Sequence, residues 1–257
     1  MKRKKILAAV LAAAVLTGIC GVQIVTKRWN VNSCFAGAYP VRGVDVSHHQ
    51  GEIDWKELSG QNLDFAFIKA TEGSSHEDEK FQENWRLAGE TDLFIGAYHF
   101  FSFDSSGADQ ADWYIRTVGE LSGKLCPAVD VEYYGGKAAD PPPRKETITQ
   151  LSLCLERLEE HYGRKPIIYT TYKVYRRYIE GNFEDYPLWI RNVYYPPQLD
   201  LAGKWRFWQY RDTAVLDGYK GEEKYIDLNV FSGTREELEE YRIDSSGEQE
   251  AQIPGTV

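Results

Sequence analysis

Short apolar runs alternate with helical patterns along most of this chain, and that alternation narrows the folds open to it. Runs at residues 41–46, 65–70, 93–101, 125–131, 166–170, 187–190, 206–210 and 225–231 have the length and the β-branched or aromatic content of strands. Helical patterns lie between them at residues 54–58, 79–88, 108–121 and 146–162. In the longest, Ile148, Leu151, Leu155 and Leu158 share one face. Asp54 stands where the first helix needs an N-cap, and Thr234 with Glu237 forms a capping box for a closing helix at 235–241. Pro141-Pro142-Pro143 breaks the chain ahead of the long helix. Strands that alternate with helices build parallel sheets. About eight of them predict an α/β fold: a single, irregular (β/α) barrel of the TIM type, closed by its first and last strands. The site would then sit at the C-terminal strand ends. No internal repeat or mid-chain linker divides the 257 residues, so one domain is expected.

The residues ahead of this domain have a different character. Residues 1–5 are basic, and residues 6–25 are mostly apolar and long enough to cross a bilayer as a helix. Lys27-Arg28-Trp29 follows at once, whereas the nearest cleavage-like site, Ala36-Gly37-Ala38, lies well downstream. Thr17-Gly18-Ile19-Cys20 is a poor lipidation site because Ile19 replaces a small residue. The expected organisation is a cytoplasmic stub and transmembrane anchor at 1–25, favoured over a cleaved signal. A stalk at 26–40, the domain at 41–243 and a disordered tail at 244–257 complete it. Basic residues at the N-terminus place that end inside and the domain outside the cell.

Charge excludes one class of partner. The first 30 residues carry six basic groups and no acid; the remainder has 24 basic against 39 acidic residues, a net charge of −15. Such a surface repels nucleic acid. Cys126 and Cys154 are too few for a disulfide framework and are expected as buried thiols, with one bridge as the alternative. No spacing of His or Cys suggests a metal site, and neither a metal nor a cofactor is expected.

Chemistry is concentrated in Cys126-Pro127-Ala128-Val129-Asp130-Val131-Glu132. Side chains at i and i+2 of a strand share a face, so Asp130 and Glu132 would project together, roughly 6–7 Å apart along the strand. Two carboxyls so placed, one of them held protonated by its surroundings, are the equipment of glycosidic hydrolysis. Asp45, Tyr98, Tyr169, Trp189, Gln209 and Asp227 also fall near strand ends.

The ordered motifs carry a resemblance. Gly43-Val44-Asp45-Val46-Ser47-His48-His49-Gln50-Gly51, Phe67-Ile68-Lys69-Ala70-Thr71-Glu72-Gly73 and Gly96-Ala97-Tyr98-His99-Phe100 come first. Pro127-Ala128-Val129-Asp130-Val131-Glu132, Leu188-Trp189-Ile190, Trp208-Gln209-Tyr210 and Asp227-Leu228-Asn229-Val230-Phe231 follow in order. The series, from about residue 42 to 241, resembles glycoside hydrolase family 25, the N-acetylmuramidases of the Chalaropsis-type lysozyme group. The resemblance implies a monomeric enzyme acting on peptidoglycan glycan strands, with Glu132 as general acid and base. Asp130 would be either the nucleophile or the group that orients the substrate's acetamido arm. Asp45 and Asp227 would complete the acidic cleft. Tyr98, Tyr169, Trp189 and Tyr210 would offer sugar platforms, and Gln209 an acetamido contact. His48 and His99 are read as structural, and Lys69 with Glu72 as an ion pair at the rim.

Two positions depart from the family pattern. Arg191 replaces a small residue and could meet a cleft carboxylate or the acidic groups of the glycan. His76 stands where an aromatic is common. A chitinase-like hydrolase and a non-catalytic wall-binding protein remain as alternatives, though clustered carboxylates give a pure binder nothing.

Overall fold

The computed structural model describes Val22 and residues 30–197 and 201–244. Apart from Val22, the apolar stretch at 6–25 lies outside the described residues, as does the tail beyond residue 244, and so do their expected roles. Among the described residues, no helix is long and apolar enough to cross a membrane.

Eight strands close into a barrel. They are β1 (Arg42–Val46), β3 (Phe65–Glu72), β5 (Phe94–Phe100), β6 (Ala128–Val131), β7 (Ile167–Thr171), β8 (Leu188–Arg191), β9 (Phe207–Ala214) and β11 (Ile226–Phe231). Their order is β1-β11-β9-β8-β7-β6-β5-β3, and β3 pairs back onto β1. Short strands β2 (Glu52–Ile53) and β10 (Tyr219–Lys220) form a separate ribbon, and β4 (His76–Glu77) pairs with the end of β3. The helices are α1 (Asn32–Ala36), α2 (Trp55–Ser59), α3 (Phe81–Ala88), α4 (Gly107–Val118), α5 (Arg144–Tyr162), α6 (Tyr172–Val174) and α7 (Arg235–Glu239). Both expected caps form: Asp54 accepts from the N–H groups of Lys56 and Glu57, and Thr234 and Glu237 bond reciprocally.

The all-parallel expectation fails at one strand. β11 runs antiparallel to both β1 and β9, whereas every other barrel pairing is parallel. Only residues 215–225 connect β9 to β11, too short a span for the helical crossover that a parallel strand requires. Asp227 therefore lies at the start of its strand rather than at its end, yet on the same rim as the C-terminal ends of the others.

The stalk expectation also needs correction. α1 packs on the outside of β9: Asn32 is fully buried and its Nδ2 donates to the carbonyls of Asn192 (2.8 Å) and Tyr210 (3.2 Å). Tyr39 then meets Trp205 edge-on at 5.3 Å. The chain is thus part of the domain from its first helix onward.

Two apolar layers result. Phe65, Phe67, Trp189, Phe207 and Phe231 fill the barrel, while Val129, Val131, Leu151, Leu155 and Leu158 belong to the layer between barrel and helices. Glycine makes the crowded interior possible. A Cβ on Gly43 would stand 2.4 Å from the Phe65 ring, and one on Gly96 2.5 Å from Phe67. Cys126 and Cys154 are buried free thiols, as expected, and burial pushes each up to about 12. His99 is a buried structural histidine. Its Nδ1 meets Thr71 Oγ1 (2.8 Å), its Nε2 meets Gln110 Oε1 (3.0 Å), and burial holds it neutral, down to about 4.

Because the ring at Gly96 has no free space to enter, Gly96→Ala is expected to destabilise the protein by about 1–3 kcal/mol. Chemical denaturation would check this; an unchanged midpoint would mean that the interior is not so tightly filled.

Candidate active site

Strand alternation sorts the candidate residues by face. On β6, Val129 and Val131 face the helices, so Ala128, Asp130 and then Glu132 face the barrel axis. The same rule brings Asp45, Lys69, Tyr98, Phe100, Tyr169, Trp189 and Asp227 to a cavity of about 310 Å³ at the mouth of the barrel. Ser47, His49, Gln50, Asp212, Glu223 and Tyr225 complete its wall. A larger surface groove of about 950 Å³ near α2 and α3 carries six acidic side chains, all exposed, and none of the buried carboxyls.

Asp45 and Asp227 stand directly opposite each other across the β1–β11 pair. Like charges so placed repel. The Gln209 amide relieves this by donating to both, at 2.9 Å to Asp45 Oδ2 and 3.0 Å to Asp227 Oδ2. Asn229 Nδ2 donates to the same Asp45 oxygen at 2.7 Å. Each amide is itself held: Tyr169 donates to Gln209 Oε1 (3.0 Å), and Trp189 Nε1 to Asn229 Oδ1 (2.8 Å). Gln209 is thereby engaged with the carboxyls, not presented as the acetamido contact that its sequence position suggested.

Burial pushes all four carboxyls above the usual carboxylate range. Asp130 and Asp227 are raised well above it; after burial, the charges of Glu132 and Asp45 add to the rise at Asp130. Its Oδ1 is buried without a hydrogen-bond partner, so no hydrogen bond at that oxygen favours the ionised form, and only the charges of Lys69 and Arg191 oppose the rise. Glu132, half-buried at the mouth, is raised by burial and by Asp45, against the opposing charge of Arg191. Asp45 is raised by burial and restrained by its two amide donors. The group binds protons as a coupled unit.

Arg191 pairs with Asp212 at 2.6 Å and lends positive charge to all four acids. The expected rim pair also forms, Lys69 Nζ to Glu72 Oε2 at 2.7 Å, with the ammonium 5.0 Å from the centre of the Phe100 ring. Trp189 and Tyr169 form the floor, with centroids 4.7 Å apart. Tyr210 is not brought to the site. It lies on the outer face of β9 beside Trp208, with ring centroids 5.7 Å apart.

Sequence reasoning missed Asn229 and Asp212 as site residues. Asn229 was within reach, since it lies two positions after Asp227 and so on the same strand face. Asp212 follows no such rule, because the β9–β11 register shifts nearby. Among the described residues, no group of three or more His, Cys, Asp or Glu side chains is arranged to hold a metal ion.

A barrel with a buried acid cluster at its mouth defines a glycosidase-type site, and the comparisons agree. The family model "Glycosyl hydrolases family 25" matches residues 44–219. The chain belongs to that family. It is 40% identical to the uncharacterized protein YegX of Escherichia coli K12, covering 79% of this chain and 74% of that one. It is 31% identical to Lysozyme M1 of Streptomyces globisporus, over 77% and 70% of the two chains. The solved family 25 glycosyl hydrolase from Bacillus anthracis superposes with a TM-score of 0.75 at 49% identity, over 80% of this chain and 94% of the other.

The acid cluster has a consequence for stability. A carboxyl whose pKa is higher in the folded than in the unfolded state stabilises below its unfolded value and loses that contribution as pH rises through the folded value. Asp130→Asn is therefore expected to stabilise the protein at pH 7. The gain should shrink as pH falls and vanish below the unfolded value of about 3.9, where wild-type Asp130 keeps its proton in both states. Thermal melts across this range would check it; destabilisation at pH 7 would show that the Asp130 charge is well accommodated.

Proposed function

We propose that this protein is a muramidase that hydrolyses the β-1,4 bond between N-acetylmuramic acid and N-acetylglucosamine in peptidoglycan, with retention of configuration. The observation that carries the reading is the Asp130–Glu132 pair on the inner face of β6, in a cleft whose other walls are Asp45, Asp227 and aromatic side chains. Lysozyme M1 and two N,O-diacetylmuramidases among its relatives support the substrate class.

In this reading Glu132, at the mouth, passes its proton to the bridging oxygen as the glycosidic bond breaks. The substrate's acetamido oxygen attacks the anomeric carbon from the other face; with the coupled pair's proton on Glu132, the Asp130 carboxylate accepts a hydrogen bond from the acetamido N–H and balances the positive charge on the ring that forms. Water then opens that ring, giving up its proton to the Glu132 carboxylate, which restores the starting state. Asp45 and Asp227 add negative potential matched to a transition state that gains positive charge. Tyr98, Tyr169 and Trp189 shape the sugar-binding floor. Arg191, held by Asp212, restrains the pKa values of the acids and faces the anionic groups of the glycan.

Peptidoglycan lies outside the cytoplasm, so the enzyme acts there, tethered by the apolar segment at residues 6–25 with residues 1–5 inside.

The full-length protein incubated with purified peptidoglycan should generate new N-acetylmuramic acid reducing ends. Glu132→Gln is expected to lower that rate by roughly 10²–10⁴-fold. New N-acetylglucosamine reducing ends would contradict the muramidase reading.

A further inference from the structure

The route by which the chain enters the domain carries an orientation. Asn32 of α1 is bonded to the carbonyls of Asn192 and Tyr210. These residues directly follow Arg191 and Gln209, so α1 begins level with the acid cluster. From there the chain descends the outside of the barrel to Tyr39 and Trp205, at the opposite end, before β1 begins. The N-terminal segment thus meets the domain at the rim that bears the cleft.

That rim carries an apolar patch. Val31, at the N-cap of α1, and Phe35 on that helix are one helical turn apart and are 37% and 48% exposed. Tyr194 and Tyr195, whose N–H groups both donate to Asn192 Oδ1, are 49% and 38% exposed. The two segments meet at the Asn32–Asn192 hydrogen bond. In a chain so acidic, neither residues 29–41 nor residues 192–199 contain a charged side chain. Exposed Tyr and Phe with no acid beside them suit the headgroup layer of an anionic bilayer, where amphipathic rings collect.

We propose that the face formed by Val31, Phe35, Tyr194 and Tyr195 docks on the membrane and holds the rim of the cleft against it. The proposal rests on the reading of residues 6–25 as an anchor. From residue 25 to residue 30 the chain spans at most ~18 Å, so the docked α1 leaves no long stalk to lift the domain away. The glycan strands within reach are those lying next to the bilayer, not the outer layers of the wall.

The test uses full-length protein in vesicles of phosphatidylglycerol and phosphatidylethanolamine, with Cys20→Ser. A nitroxide is placed on native Cys34, which is exposed on α1; Cys126 and Cys154 are buried. Two further samples carry Cys34→Ser with either Tyr194→Cys or Ser122→Cys, the last at the opposite end of the barrel. Flotation shows whether the protein is anchored, and paramagnetic relaxation by oxygen and by a water-soluble nickel complex reports depth. Labels at 34 and 194 are expected to show several-fold higher oxygen-to-nickel ratios than the label at 122. Flotation with the label at 194 as wet as that at 122 would overturn the docking face alone. Failure to float would overturn the anchor, and the proposal with it.

Discussion

The structure turns on the closure of the barrel by an antiparallel strand. Inserting β11 between β1 and β9 places Asp227 opposite Asp45 and brings Gln209 and Asn229 onto the same inner face. Two like charges in direct cross-strand register would push the strands apart. The Gln209 and Asn229 amides turn that repulsion into a bonded set of acids, and Tyr169 and Trp189 fix the amides in turn. The barrel interior and the acidic cleft are therefore continuous: the side chains that fill the core also orient the groups that orient the acids.

This continuity explains the electrostatics. Asp130 rises from a packed strand into a space lined by aromatic rings and other carboxyls, with no hydrogen bond to its Oδ1. Burial raises the acids together, and Arg191 and Lys69 keep the rise within bounds. Proteins commonly retain local strain of this kind at functional sites, where stability and activity conflict. Glu132, one residue beyond the strand and closer to solvent, is the carboxyl best placed to exchange a proton with a bound glycan.

Much of this was legible in the sequence, for identifiable reasons. Period-two alternation needs no tertiary information, so the shared face of Asp130 and Glu132 could be read directly. Caps at Asp54 and Thr234 are local and formed as read. The direction of β11 was not legible as apolar pattern, since a strand buried on both faces looks the same in either direction; it could be read only from the length of the 215–225 connection. The same uniform burial hid the facing of Tyr210, because Trp208-Gln209-Tyr210 offers no polar alternation between its two aromatic residues. α1 was missed because five residues give too little periodicity, and its docking depends on Asn32 finding carbonyls 160 and 178 positions away.

The central claim, that burial and crowding hold a proton within the acid cluster above the usual carboxylate range, can be measured directly. Carbon-13 labelling of Asp and Glu carboxyls, with Glu132 and Asp130 resonances assigned by single substitutions, would follow each group through a pH titration. Asp130 is expected to keep its proton well above the usual carboxylate range and to titrate jointly with Glu132. Independent titration of both near pH 4 would contradict the claim.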